Sequence, residues 1–272
     1  MSETKGTLEG KVAVITGGGT GLGRCMAVCL AREGCDIVVA ARRVNALEQT
    51  AAEVRALGRR ALVVPTDVTV SAQCHNLIER TITEMGRLDI LINNAGIVRG
   101  QQPKELWDIT DEEWHLGIDT NLSGTFYCCR AAMKYFVEQQ RGKIINIASG
   151  NGLRGQRGDY MYGTAKAGVI NLTRILAMTF SRYNIQINCI APGYVDVRQL
   201  QPEPITTTIQ RTAQYIPVQR FGIPEDIGYL ALFLASDASD YITGGLFAND
   251  GGGLAGGVAP TGYAPIIPLE EE

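Results

Sequence analysis

The sequence predicts a doubly wound α/β fold in a single domain, a parallel sheet of about seven strands with helices on both faces. Three observations carry this. Short runs such as KVAVIT and DIVVAA are apolar at every position, as strands covered on both sides must be. Segments with helical apolar spacing separate them, so each strand returns parallel to the last by a right-handed crossover. No break in composition and no internal repeat divides the 272 residues.

The elements follow in order. Lys11 to Thr16 is the first strand and Gly21 to Arg32 the first helix. Asp36 to Ala41 is a strand and Val44 to Leu57 a helix. Ala61 to Pro65 and the helix Ser71 to Met85 come next, then a fourth strand, Leu88 to Ile92. One long helix is predicted from about Asp111 to Gln139, opened by a capping box of Thr110 and Glu113. Lys143 to Ala148 is the fifth strand, Tyr160 to Tyr183 a helix, and Ile185 to Ala191 the sixth strand. Pro224 to Ala235 is a further helix and Leu246 to Asn249 a short last strand. Two segments fall outside the alternation. Val195 to Arg220 carries prolines 202, 204 and 217 and reads as a long excursion. Gly251 to Glu272 is rich in Gly and Pro and reads as a loosely ordered tail.

Composition narrows the function classes. A formal net charge of −3 offers no basic footprint for nucleic acid or an anionic membrane. Two histidines, His75 and His115, lie far apart, which argues against a metal site. The seven cysteines are an odd number and several sit in apolar runs, so buried free thiols are expected. Cys25 and Cys29 lie one helical turn apart, but nothing supplies further metal ligands. No apolar run near residue 1 resembles a signal peptide and no run reaches the ~20 residues of a membrane span. Cytoplasmic residence is the expectation.

After the first strand comes Thr16-Gly-Gly-Gly-Thr-Gly-Leu-Gly23. Glycines at 17, 21 and 23 let backbone approach a pyrophosphate at a helix N-terminus, where free N–H groups and the dipole favour anions. A tight strand-to-helix connection is the plainer reading of such a turn. Its place between first strand and first helix points instead to a dinucleotide. The second strand ends Ala40-Ala41-Arg42-Arg43, without the carboxylate that would bind a ribose 2′-hydroxyl. A guanidinium suits a 2′-phosphate. NADP is therefore expected over NAD, with Arg42 as main contact and Arg43 as helper.

Tyr162-Gly-Thr-Ala-Lys166 opens a helix, and i, i+4 spacing puts phenol and ammonium on one face. A nearby ammonium and an oxidised nicotinamide both favour phenolate, so the pair is fitted to shuttle a proton. Tyr160 is six residues from Lys166 and off that face. Ser149 follows the fifth strand, thirteen residues before Tyr162, and Asn94 follows the fourth; both stand at carboxyl ends, where α/β folds bind ligands. Asn121 sits mid-helix, where a short amide is a poor helix former, and so reads as having a specific hydrogen-bonding task.

With TGGGTGLG (16–23), Asp67-Val68, NNAG (93–96), Asn121, Ser149, YGTAK (162–166), Pro192-Gly193, RFGIPEDIG (220–228) and GGLFANDGG (244–252) in order, the chain resembles the short-chain dehydrogenase/reductase family over about residues 8 to 254. That family includes 3-oxoacyl-carrier-protein reductases and alcohol and sugar dehydrogenases. The resemblance implies a Rossmann-type sheet in order 3-2-1-4-5-6-7 and a homotetramer or homodimer. It implies that Tyr162 is general acid/base, that Ser149 hydrogen-bonds the same substrate oxygen, and that Lys166 binds the nicotinamide ribose and lowers the Tyr162 pKa. Asn121 would hold a water of a proton relay. Gly17, Thr20, Gly21, Leu22 and Gly23 would cradle the phosphates, Asp67 and Val68 flank adenine, and Asn94, Ala95 and Gly96 support the adenosine side. Pro192, Gly193, Val195 and Val197 would flank the nicotinamide. Val197 stands where the family often has threonine, so one hydroxyl contact to the cofactor is missing.

The resemblance also makes 196–216 a substrate lid, with Gly150, Asn151, Leu153 and Tyr194 lining the pocket beside Ser149 and Tyr162. Such a wall suits a medium-sized ketone or secondary alcohol. An NADP(H)-linked reductase, an NAD-linked dehydrogenase of a polyol, sugar or cyclic alcohol, and a non-catalytic nucleotide-binding protein are the three classes open. The last predicts loss of Tyr162 or Lys166, and neither is lost. A carrier-protein reductase would want a basic docking surface, for which Arg141 and Arg182 are candidates. The predicted helix 160–183 is apolar well beyond its cofactor face (Val169, Ile170, Leu172, Ile175, Leu176, Met178), which a partner subunit would cover. Tyr263 to Leu269 in the 255–272 tail is expected to pack on a pocket mouth or a neighbouring subunit.

Overall fold

In the computed structural model, residues 6–97, 105–197, 213 and 215–255 are described. Seven strands form one sheet: β1 (Val12–Thr16), β2 (Asp36–Ala41), β3 (Ala61–Pro65), β4 (Ile90–Asn93), β5 (Gly142–Ile147), β6 (Ile185–Pro192) and β7 (Leu246–Asn249). Their order is β3-β2-β1-β4-β5-β6-β7 and every pairing is parallel. The helices are α1 (Gly21–Arg32), α2 (Val44–Ala56), α3 (Ser71–Met85), α4 (Asp111–Ile118), α5 (Gly124–Glu138), α6 (Tyr162–Phe180) and α7 (Pro224–Ala235).

Side chains of successive strand residues point to opposite faces. Ala13 and Ile15 of β1 therefore join one core, with Met26 and Leu30 of α1, Leu47 of α2 and Ile227 and Leu234 of α7. Val12 and Val14 join the other, with Leu77 of α3, Phe136 of α5 and Ile187 of β6. This is why the strands read as unbroken apolar runs. At the carboxyl edge, Ile15 is level with Ile92 of β4, and Ile147 of β5 with Ile190 of β6. The chain reverses its direction of travel along the sheet between β1 and β4, which opens a crevice above those strand ends.

Several boundaries differ from the sequence expectation. The long helix is interrupted: Asp119–Ser123 forms a π turn between α4 and α5. Helix α6 starts at Tyr162, leaving Tyr160 outside it, and ends at Phe180 in a 3-10 turn, Ser181–Tyr183. Thr110 and Glu113 do make the predicted capping box, the Thr110 hydroxyl accepting from Glu113 N at 3.2 Å. The excursion is anchored where it is described. Val195 bridges Gly222, Tyr194 stacks on Phe221 with ring centroids 5.6 Å apart, and Ile216 is buried. The first residues of the expected loose tail are a built turn instead, because the Asp250 carboxylate accepts from Gly252 N at 2.9 Å and Leu254 N at 2.7 Å. Residues 198–212 and 214 of the expected lid, and 256–272 with Tyr263 to Leu269, lie outside the described residues.

All seven cysteines are free and buried. Cys25 and Cys29 bring their sulfurs to 3.9 Å. Among the described residues no helix is long and apolar enough to cross a membrane. Within one chain the outer face of α6 is not covered: Ile175 is 55% and Met178 84% exposed.

Candidate active site

The phosphate turn is built from both sides. Gly17 and Gly21 have φ of +66° and +55°, in the left-handed region that favours glycine. Thr20 caps α1 without a side-chain hydrogen bond, so the first amides of the helix face the crevice uncapped by the chain itself. From β4, Asn94 Nδ2 donates to the carbonyls of Thr16 at 2.9 Å and Gly17 at 3.3 Å. The Thr16 hydroxyl accepts from Asn94 N and Ala95 N, both at 3.0 Å. Asn94 thus clamps the Gly-rich turn to the end of β4. The role of Thr16 in this clamp is one that sequence reasoning missed; a hydroxyl ending a buried strand was the available signal.

At the end of β2, Arg42 and Arg43 are exposed. Arg43 reaches back to the Thr20 hydroxyl at 3.5 Å, whereas Arg42 makes no ion pair or hydrogen bond among the described residues. Asp67 accepts from Thr69 N and the Thr69 hydroxyl at 3.0 and 2.8 Å, and Val68 is buried against Gly124 of α5. Pro192 ends β6, and Gly193 N donates to Asn249 O across to β7 at 3.0 Å. Val197 Cγ1 approaches the Gly21 turn, so the start of the excursion overhangs the phosphate cradle. A cradle of open backbone, an uncapped helix N-terminus and an exposed guanidinium beside it together fit a dinucleotide.

Tyr162 lies close enough to Ser149 for the Ser149 hydroxyl to lower the phenol's pKa, and the same hydroxyl accepts from Asn151 N at 3.2 Å. Lys166 is 3% exposed, donates from Nζ to Ile147 O at 2.8 Å, and sits 5.6 Å from the Tyr162 ring centroid. Asn121, at the π turn, joins two segments of chain. Its Nδ2 donates to Gly117 O at 2.9 Å and Ile97 O at 3.0 Å, and its Oδ1 accepts from Ile97 N at 3.1 Å. The amide therefore pins the loop after β4 to the helix, in a gap that an unbroken α-helix would close. A Cβ on Gly96 would stand 2.8 Å from Asn121 Oδ1 and 3.4 Å from Lys166 Nζ, so these groups converge.

The electrostatics correct one expectation. The Tyr162 phenol stands above its usual value, not below it: burial raises it, the Ser149 hydrogen bond draws it back, and the Asp159 carboxylate adds to the rise. Lys166 is not among the groups that move the phenol, and burial pulls its own ammonium down to about 8. Asp159 was not foreseen. It is buried, accepts from Asn151 Nδ2 at 2.8 Å and Gly163 N at 3.0 Å, and so holds the Ser149 loop to the first turn of α6.

The lowered Lys166 pKa has a stability consequence. Between pH 8 and 10.5 the unfolded chain keeps a proton that the folded chain has lost, so stability contributed by this site rises with pH across that window. Wild type is expected to gain about 3 kcal/mol over Lys166→Met between those limits. Urea unfolding of both proteins at each end of the window measures it; a constant difference would contradict the burial effect.

Tyr194 is engaged by Phe221, and Leu153 is 42% exposed. Arg141 pairs with Asp237 at 2.5 Å, and Arg182 donates to the Tyr183 hydroxyl at 2.7 Å. Arg141 is thus paired with a carboxylate, whereas the partner of Arg182 is a neutral hydroxyl. Among the described residues no group of three or more His, Cys, Asp or Glu is arranged to hold a metal ion.

The family model described as short chain dehydrogenase matches residues 11–206. The 2-dehydro-3-deoxy-D-gluconate 5-dehydrogenase of Escherichia coli (strain K12) is 40% identical over 255 residues, 92% of this chain and 97% of that protein. The 3-oxoacyl-(acyl-carrier-protein) reductase of Thermotoga maritima is 34% identical over 245 residues, 90% of this chain and 98% of that one. Among solved structures, levodione reductase superposes with a TM-score of 0.85 at 33% identity, covering 94% of this chain and all of the other.

Proposed function

The chain belongs to the short-chain dehydrogenase family, a family of NAD(P)-using oxidoreductases, and from that premise we propose that it interconverts a ketone and a secondary alcohol with NADP(H). The observation that carries the chemistry is the meeting of Ser149, Tyr162, Lys166 and Asn121 at the carboxyl edge of β4 and β5.

When bound, the nicotinamide would supply or take the hydride. The chain supplies the proton and the positioning. Tyr162, held in its acid form by burial, donates a proton to the carbonyl oxygen as reduction proceeds and takes it back in oxidation. Ser149 hydrogen-bonds the same oxygen and steadies its developing charge. Lys166 binds the nicotinamide ribose, and Asn121 keeps the gap through which a water-linked proton path reaches Lys166. Gly17 to Gly23, Asp67, Val68, Asn94 to Gly96, Pro192, Gly193, Val195 and Val197 form the cofactor's seat. Asn151, Leu153 and Tyr194 face the substrate.

The exposed Arg42, with no acidic residue at the end of β2, supports NADP(H) over NAD(H). NADPH is expected to bind at least about tenfold more tightly than NADH, the effect of one charge-assisted hydrogen-bonding site for the 2′-phosphate. Fluorescence titration with each nucleotide tests this, and equal or tighter NADH binding would overturn the Arg42 reading. Monitoring NADPH oxidation over a panel of ketones tests the reaction class. A second substrate reading, a polyol- or sugar-derived alcohol, is favoured by the 40%-identical gluconate-derivative dehydrogenase. The enzyme is expected to act in the cytoplasm as a homotetramer or homodimer, in which a second copy covers the exposed Ile175 and Met178 of α6.

A further inference from the structure

We infer that Asp159 is a positioning residue for the reaction, tying the loop that orients Ser149 to the helix that begins at Tyr162. The inference rests on the ketone–alcohol reading and adds a residue to it.

Ser149 and Tyr162 come from different elements. Ser149 follows β5 and Tyr162 opens α6, with residues 150–161 between them. A substrate oxygen that meets both hydroxyls needs their spacing held to within about 0.5 Å, and neither element sets that spacing alone. The Ser149 hydroxyl is oriented by the Asn151 amide, which donates to it at 3.2 Å. The 3-10 turn Gly150–Gly152 presents that amide, so this turn must keep its place on α6.

Two contacts hold it there. At Gly152 a Cβ would lie 2.7 Å from the Lys166 carbonyl carbon and 2.8 Å from Ala167 N, so the turn's backbone rests directly on the helix. The second contact is Asp159, which is 9% exposed. Its Oδ2 accepts from Asn151 Nδ2 at 2.8 Å and its Oδ1 from Gly163 N at 3.0 Å. One carboxylate thus joins the residue that orients Ser149 to the residue after Tyr162. Gly163 completes the joint. A Cβ there would stand 3.1 Å from both Asn151 O and Asp159 Oδ2, so the missing side chain lets loop and carboxylate close on the start of α6.

The arrangement does more than cap a helix. Met161 gives α6 no side-chain cap, and Asp159 answers one amide of the first turn that has no partner within the helix. Capping needs only the Gly163 bond. The bond to Asn151 has no part in it, and that bond is the one that leads to Ser149. The carboxylate also lies near enough to the phenol to raise its pKa, which places Asp159 beside the reacting groups. Asp159 delivers no proton. It acts through the spacing of Ser149 and Tyr162.

The test is single-turnover reduction by the NADPH-loaded full chain, with the fastest ketone of a panel of cyclic, aliphatic and keto-acid compounds as probe. Asp159→Ala is expected to slow hydride transfer about 10- to 100-fold, the cost of misplacing a reacting group by about an ångström, with NADPH affinity changed less than about twofold. Asp159→Asn keeps an acceptor for Gly163 N and an amide partner for Asn151. It is expected to stay within about threefold of wild type, since a neutral hydrogen bond is weaker than a charge-assisted one but has the same geometry. In a Ser149→Ala background, Asp159→Ala is expected to cost less than about twofold more, because residues that act through one another are not additive. Should Asp159→Ala lose NADPH binding, Asn151→Ala takes its place in the same comparison, since it cuts the tie and leaves the Gly163 bond. A wild-type rate in Asp159→Ala, no recovery in Asp159→Asn, or an undiminished loss in the Ser149→Ala background would each overturn the assignment. The last of these would make Asp159 a structural cap only. Wild-type protein that reduces no ketone of the panel defeats the reaction class and the positioning role with it, whereas turnover indifferent to Asp159 defeats the positioning role alone.

Discussion

Tyr162→Phe is expected to lower kcat by about a hundred- to ten-thousandfold while leaving nucleotide affinity within about twofold of wild type. The substitution removes one oxygen and keeps the ring, so the Lys166 Nζ retains its aromatic neighbour at 5.6 Å and its bond to Ile147 O. What is lost is the phenol hydroxyl beside Ser149. Single-turnover hydride transfer and nucleotide titration, measured on the same preparation, separate the two effects. A variant that turns over normally would show that the proton comes from elsewhere, and one that loses nucleotide binding in step with turnover would make Tyr162 structural. In wild type, the raised phenol pKa keeps the acid form through the neutral range, so reduction is expected to be fast there and to fall as pH rises past the phenol's own pKa. In Tyr162→Phe that fall is expected to disappear.

Gly23→Ala is expected to abolish nucleotide binding and to cost about 2–3 kcal/mol of stability, an overpacking penalty at its upper range. Gly23 lies in the first turn of α1, and a Cβ there would strike the Gly17 carbonyl and come within 2.6 Å of Asn94 Nδ2. Neither obstacle can step aside. The carbonyl belongs to the phosphate turn, and Asn94 Nδ2 is fixed by its bonds to Thr16 O and Gly17 O. To admit one methyl group, the turn must separate from the end of β4, and the amides that would cradle a pyrophosphate move with it. Urea unfolding and nucleotide titration measure the two losses. A Gly23→Ala variant that binds NADPH like wild type would mean that the close packing of turn, helix and β4 is not what shapes the cradle.

The strands and the phosphate turn were legible because their signals are local. Val12 to Ile15 are apolar at every position, and both cores claim alternate members of that run. The Tyr162–Lys166 spacing was legible for the same reason, since one helical turn converts sequence distance into contact. Asn121 was legible as an anomaly, although only the structure shows that the anomaly is a π turn gripping Ile97. Asp159 and Thr16 were not. Their partners are set by how a loop folds back on a helix and how two strand ends meet, and a carboxylate before a helix or a hydroxyl ending a strand has many possible uses.

The direction of the Tyr162 shift shows where reasoning along a sequence stops. Proximity of an ammonium argues for phenolate, but burial acts on both groups, lifting the phenol and lowering Lys166 to about 8. The sequence by itself determined the order of strands and helices, the Gly-rich turn, and which residues stand one turn apart, because these depend on the period of the backbone. Only the tertiary structure decided how deeply Lys166 is buried, which loop packs over it, and that Asp159 joins Asn151 to Gly163. Those are properties of the three-dimensional enclosure, where solvent is removed by residues far apart in the chain, and desolvation has no sequence period.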